Sequence, residues 1–285
     1  MQTRCHLSVL ALKQAEKYGD RAAFTYKDFG GTAWKQMSYN RFAQLVKQAS
    51  NALLNLGAKP QDAIGVFSQN TIQYLVTDFG AYGVRVISIP FYATASEQQI
   101  QYMINDAGIR FLFVGEQEQY DKAHRIFALC HTLERIIIFD RSVRISTHDP
   151  AALYFDDFLK LGEGLPRQSE VEQLYAQANN DDLCNILYTS GTTGDSKGVM
   201  LTYGQYEAAM SLGVGYRDMM KDIILPQAVK HILPSLVNEA ISLLKESSIL
   251  SYIGAVELLR AADQITVLTF RFFEPYLVIA VIYYI

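Results

Sequence analysis

The sequence predicts an α/β fold, with a parallel, doubly wound sheet over residues 1–203 and an all-α, membrane-type helical tail over 204–285. Three observations carry this expectation. Short apolar runs alternate with stretches at helical spacing up to about residue 200, which implies βαβ units. After about residue 203 the alternation stops and long apolar runs replace it. Half of the 285 residues are apolar and 19% are charged, which suits a packed core and argues against disorder.

Ser38 is placed to cap a helix in which Phe42, Leu45, Val46, Ala49, Ala52, Leu53 and Leu56 recur at helical spacing until Gly57 closes it. AIGVF (63–67) reads as a buried strand, and TIQYLVTDFGAYG (71–83) as the helix after it. VISIP (86–90) is the next strand, and Thr94 with Glu97 fits a capping box that opens SEQQIQYMINDAG (96–108). Strand RFLFVG (110–115), helix QYDKAHRIFALC (119–130) and strand ERIIIFD (134–140) follow. Residues 141–180 are irregular and polar, a surface excursion before the strand LCNILYT (183–189).

The charge balance, 25 basic against 29 acidic residues with no Lys/Arg cluster, excludes a nucleic-acid partner of the usual basic-patch kind. Cys5, Cys130 and Cys184 show no metal-ligand spacing and read as free thiols in a reducing compartment. Charged residues precede any sustained apolar run at the start of the chain, so no signal peptide is expected and residues 1–203 should be cytoplasmic. The pairs Asp156–Asp157 and Asp181–Asp182 read as caps or solvated faces, His124 and His131 fit no ligand motif, and Trp34 reads as core or acyl-pocket lining.

The chemistry is concentrated in Tyr188-Thr-Ser-Gly-Thr-Thr-Gly-Asp-Ser-Lys-Gly198, directly after an expected buried strand. Gly191, Gly194 and Gly198 allow backbone conformations closed to other residues and let amide groups approach a ligand. Thr189, Ser190, Thr192 and Thr193 crowd hydroxyls into the same few residues, and Lys197 adds a mobile positive charge. Together they form a nest suited to a polyphosphate. The spacing is not that of a Walker A loop, because Lys197 is followed by Gly198.

The run ILYTSGTTGDSKGVMLT, from Ile186 to Thr202, resembles the signature loop of the adenylate-forming, AMP-binding superfamily, with Ser196 where proline is usual. Residues 5–202 are similar to long-chain fatty-acid–CoA ligases: Tyr39 in MSYNRF, the stretch 66–108 and LFVGEQEQYD (112–121) carry the likeness. The resemblance implies ATP, a fatty acid and coenzyme A as partners, and Mg2+ with the ATP. Thr189, Ser190, Gly191, Thr192, Thr193, Gly194 and Lys197 would hold the β- and γ-phosphates and stabilise the departing pyrophosphate. The family's magnesium-binding acid, ribose aspartate and C-terminal lysine have no counterpart after residue 203, so an incomplete and inactive ligase, a truncated adenylation domain, is expected.

From residue 204 a second resemblance begins. Glu207, Ala208, Ala209 and Gly213, followed after nine residues by Ile223-Ile-Leu225-Pro226, are spaced like the EAA loop of amino-acid ABC-transporter permeases. It implies, as the alternative function, a permease fragment docking an ABC ATPase subunit through these residues, with membrane association through 232–285. Lys245 and Glu246 would then face protein or water, and the run from Pro275 holds only 11 residues against the ~20 of a membrane span. With both likenesses breaking between Leu201 and Glu207, the sequence reads as a chimera of two incomplete genes.

Overall fold

The computed structural model describes residues 6–147, 149–189, 196–211, 258–269, 273–275 and 277–278. The chain divides into two compact units, Met1–Leu212 and Gly213–Ile285.

The first unit opens with a helix α1 (Leu10–Tyr18) and an antiparallel hairpin, β1 (Ala22–Tyr26) and β2 (Lys35–Ser38). Helix α2 (Tyr39–Asn55) starts at Ser38, whose hydroxyl accepts the Arg41 N–H at 3.2 Å. It ends in a Schellman motif: Gly57, at φ 83°, donates to Leu54 and Ala58 donates to Leu53. Its apolar stripe, including Phe42, Val46, Ala49 and Leu53, is buried as the spacing requires.

A seven-stranded sheet follows, built from β3 (Ala63–Phe67), β4 (Ile87–Phe91), β5 (Ile109–Val114), β6 (Arg135–Ile138), β7 (Ala152–Tyr154), β8 (Leu183–Thr189) and β9 (Lys197–Thr202). Their order is β7-β6-β5-β3-β4-β8-β9, parallel except for the final β8–β9 pair. The chain steps from β3 to β4 through α3 (Ile72–Gly83), then back across β3 through α4 (Glu97–Ala107) and α5 (Gln117–Ile126). Right-handed crossovers in opposite directions put α3 on one face and α4 and α5 on the other. The two cores show this division. Ile64, Val66, Phe111, Phe113 and Ile137 pack with α2 and α3, while Phe67, Ile89, Leu112, Val114 and Ile138 pack with α4 and α5. Alternate residues of each strand thus serve opposite faces, as a doubly covered sheet demands. On the first face α3 lies close to α2: a Cβ on Gly80 would stand 2.6 Å from the Ala49 Cβ.

The structure corrects three expectations. Helix α4 is capped by Ser96, not Thr94: the Ser96 hydroxyl accepts the Gln99 N–H and the Gln99 side chain accepts the Ser96 N–H. Both spacings satisfy the motif, but the helix begins two residues after Thr94 would have started it. Residues 141–180 are not simply a surface excursion. They supply β7, α6 (Phe155–Leu161) and α7 (Gln168–Ala176), with Phe155, Phe158 and Val171 in the core beside α2 and α3. Trp34 is not core, being 68% exposed with the Lys27 ammonium over its ring. It edges a cavity of about 510 Å³ with Phe24, Tyr26, Ile72, Tyr74 and Leu75. No helix among the described residues is long and apolar enough to cross a membrane, and most of 232–285, where membrane association is expected, lies outside them. Within the second unit the described helix is α9 (Leu258–Thr269), 12 residues that include Arg260 and Asp263; Lys245 and Glu246 lie outside the described residues.

Of the paired carboxylates, Asp156–Asp157 sits where a capping role would put it, whereas Asp182 is taken up in an ion pair with Arg85. Asp156 and Asp157 sit in the first turn of α6, and hydrogen bonds from Lys160 and Arg141 hold the Asp157 carboxyl below its ordinary value. Cys130 and Cys184 are buried free thiols. His124 bonds to Asp149, which also accepts from Tyr120, and tethers α5 to the segment before β7.

Candidate functional site

Parallel pairing brings the C-terminal ends of β3, β4, β5, β6 and β8 to one edge of the sheet, where open α/β sheets bind their ligands. The Thr/Ser/Gly segment leaves β8 at that edge and returns as β9. Of the residues expected to line it, Thr189 is the last of β8 and Lys197 the first of β9, both exposed. They face each other across the ladder, with the Thr189 hydroxyl 3.5 Å from the Lys197 carbonyl oxygen. Ser190, Gly191, Thr192, Thr193 and Gly194 lie outside the described residues. Lys197 makes no ion pair among the described residues. Gly198 serves another purpose than the backbone freedom expected of it. It pairs with Tyr188, and a Cβ there would stand 2.8 Å from Ile186 Cγ2, so the close crossing of the two strands excludes a side chain.

Sequence reasoning did not find the groups that hold β8. Pairing with β4 registers at one residue pair, Ser88 with Asn185. Side chains supply the rest. At the root, Gln61 accepts the Leu183 N–H at 2.9 Å and donates to the Leu183 carbonyl at 3.1 Å. Beside it, Arg85 donates two hydrogen bonds to Asp182, at 2.7 and 3.0 Å. Burial pushes the Asp182 carboxyl up, but Arg85 and the Asn179 N–H outweigh it and hold the group below its ordinary value.

In mid-strand the buried Asn185 donates to the Ser88 carbonyl at 2.8 Å and accepts from Tyr82 at 3.0 Å and Tyr206 at 3.2 Å. The Ser88 hydroxyl in turn donates to Asp78 of α3 at 2.6 Å. Asp78 keeps part of its surface open, yet burial around the carboxyl pushes it up to about 7, the Ser88 bond opposing only in part. At the upper end Tyr188 donates to Asp106 of α4 and packs edge-on to Tyr102. The visible signal for this network was Asn185 itself, a polar residue inside an apolar strand that must be satisfied if buried.

Helix α8 (Tyr203–Ser211) follows β9 without a break. Tyr203 is fully buried and donates to the Tyr82 carbonyl, and with Tyr206 it packs near Cys184, so this face of α8 belongs to the first unit. Of the residues expected to dock an ATPase, Glu207 is half-buried, Ala208 is exposed and Ala209 continues α8. Gly213 and Pro226 lie outside the described residues.

Among solved structures, an anthranilate–CoA ligase in complex with anthranoyl-AMP superposes with a TM-score of 0.62 over 74% of this chain and 37% of its own, at 19% identity, which is a likeness of fold. A long-chain fatty-acid–CoA ligase of Xenopus laevis is 27% identical over 187 residues, 66% of this chain and 25% of the relative. Fatty acyl-CoA synthetase A of Dictyostelium discoideum is 32% identical over 176 residues, 60% of this chain and 25% of the relative. The chain thus spans about a quarter of the length of these two curated relatives. The model of the AMP-binding enzymes matches residues 12–261, taking in the sheet, the Thr/Ser/Gly loop and α8. It runs through the expected junction near residue 203 and lends no support to a permease or an ABC ATPase partner. This chain belongs to the AMP-binding enzyme family.

Proposed function

We propose that this chain carries the nucleotide-phosphate site of a fatty-acid–CoA ligase. The observation that bears most weight is a hydroxyl- and glycine-rich segment held between β8 and β9 at the ligand edge of a parallel sheet, with the exposed Lys197 at its stem. In the reaction this class performs, a fatty-acid carboxylate oxygen attacks the α-phosphorus of ATP. The bond from that phosphorus to the bridging oxygen breaks, and pyrophosphate leaves. The sulfur of coenzyme A then displaces AMP from the acyl-adenylate. The part assigned to this chain is electrostatic: Thr189, Ser190, Thr192, Thr193 and the loop amides donate to the β- and γ-phosphates, and Lys197 offsets the charge that develops on the leaving group. The fatty acyl group rests on the names of the relatives and on the likeness of residues 5–202.

The donor set suits phosphate oxygens. Among the described residues no three His, Cys, Asp or Glu side chains converge. The described residues offer no ready-made magnesium cage, and a magnesium ion would be carried chiefly by the phosphates and water.

Calorimetric titration with inorganic pyrophosphate and with Mg·ATP tests the site. Saturable binding that weakens about tenfold in Lys197→Ala, or ~1.4 kcal/mol, is the expected result. Absence of saturable binding in the parent chain removes the phosphate reading.

A further inference from the structure

The three non-glycine residues described with a left-handed backbone are Gln61 (φ 66°), Arg85 (φ 60°) and Leu165 (φ 52°). Such backbone is strained for a residue with a Cβ and persists where the surroundings over-determine it. Gln61 precedes β3 and Arg85 precedes β4, and both send their side chains to the root of β8. We propose that Gln61, Arg85 and Asn185 are positioning residues that fix the placement of β8 and, through it, of the phosphate loop; the second part rests on the function proposed above.

The geometry carries the argument in three steps. First, β8 is an incoming strand with little ladder on its inner side, since its pairing with β4 registers only at Ser88–Asn185. Second, the side chains stand in for the missing ladder. The Gln61 carboxamide gives Leu183 one donor and one acceptor, as the peptide group of a neighbouring strand would, and also reaches the Arg85 carbonyl at 3.1 Å. Arg85 adds a two-point, half-buried pair to Asp182, one residue earlier. Asn185 completes the set two residues further on, bonding to Ser88, Tyr82 and Tyr206. Third, the Gln61 and Arg85 backbones meet each other, the Gln61 N–H donating to the Arg85 carbonyl at 2.7 Å. The two strained residues are therefore one unit whose outward-facing groups all address β8. A purely stabilising role needs no such concentration of strain at one strand root.

The experiment compares Gln61→Gly, Arg85→Gly and Gln61→Glu with the parent chain. Glycine removes the side chain but relaxes the backbone, so overall stability is largely kept. Glutamate keeps the backbone and the shape but cannot donate to the Leu183 carbonyl. Amide hydrogen exchange and pyrophosphate affinity are read together. Expected in each variant is at least tenfold faster exchange across Leu183–Thr189 and Lys197–Thr202 and at least tenfold weaker pyrophosphate binding. Exchange in β3, β5 and β6 should be unchanged. Unchanged exchange in β8 and β9 overturns the proposal outright. Faster exchange there with undiminished pyrophosphate affinity also overturns it, because the loop would not depend on the strand's placement. A parent chain that binds no pyrophosphate removes the phosphate reading alone; the exchange result then decides whether these residues place β8.

Discussion

Replacing Asp78 with asparagine should flatten the dependence of stability on pH. The Asp78 carboxyl lies on α3 with Ser88 as its hydrogen-bond donor, facing the phenols of Tyr74, Tyr82 and Tyr206 and, among the described residues, no cation that offsets its charge. Burial, the largest cause, pushes it from an ordinary 3.8 to about 7. Between these values the folded chain keeps a proton that the unfolded chain has released, so stability falls as pH rises through the window. Each tenfold change in proton affinity is worth about 1.4 kcal/mol, and the whole effect is therefore at most about 4 kcal/mol. Roughly 2.5 kcal/mol of this falls between pH 5 and pH 8, and water at the open part of the residue lowers both figures. Asparagine preserves the shape and the acceptor for Ser88 but does not titrate. Urea denaturation of both proteins at pH 5 and pH 8 measures the difference, in which every other titrating group cancels. The variant should gain on the parent by one to a few kcal/mol on going to pH 8. Parallel pH profiles, or a parent that gains on the variant as pH rises, would refute the reasoning.

Phe158→Ala should cost about 3–5 kcal/mol, read as a lower denaturation midpoint, because Phe158 is fully buried and packs edge-on to Phe113 at 5.3 Å. Ser96→Ala should cost ~1 kcal/mol while Thr94→Ala stays within about 0.5 kcal/mol, which separates the observed helix cap from the expected one. Gly80→Ala should destabilise by about 1–3 kcal/mol, since the new methyl would force α3 away from Ala49; an unchanged thermal midpoint would show that the two helices can part at no cost.

Much of the sheet was legible in the sequence for one reason. Strands β3, β4, β5 and β6 are covered on both faces, so AIGVF, VISIP, RFLFVG and ERIIIFD stand out as apolar runs against their surroundings. Helix α2 was equally plain, with Ser38 and Gly57 marking its ends. The segment 141–180 was not, because its core contribution comes from a few residues, Phe155, Phe158 and Val171, scattered through polar helices of seven and nine residues. The choice between Thr94 and Ser96 turned on two residues of register that spacing alone does not fix. At the site, the loop announced itself by residue type. Its supports did not, since Gln61 and Leu183 are 122 residues apart and nothing local links them.

That long-range support decides what the loop can inherit from the fold. Thr189 is part of β8, and Lys197 is held by β9, whose ladder to β8 runs from Leu183–Thr202 to Thr189–Lys197. Among the described residues strand β9 lies at the end of the strand order, and Val199 and Met200 are exposed along it. Both described ends of the loop therefore trace back to one strand. Anything that shifts β8 along the sheet moves a hydroxyl and the cation together, so their mutual spacing survives while their placement against the ends of β3 and β4 does not. Replacing Gln61 or Arg85 goes further than a rigid shift: it loosens the β8–β9 ladder itself, so even a ligand that touches only the loop loses affinity. A ligand that also reaches the ends of β3 and β4, as a whole nucleotide would, loses affinity to a rigid shift of β8 as well.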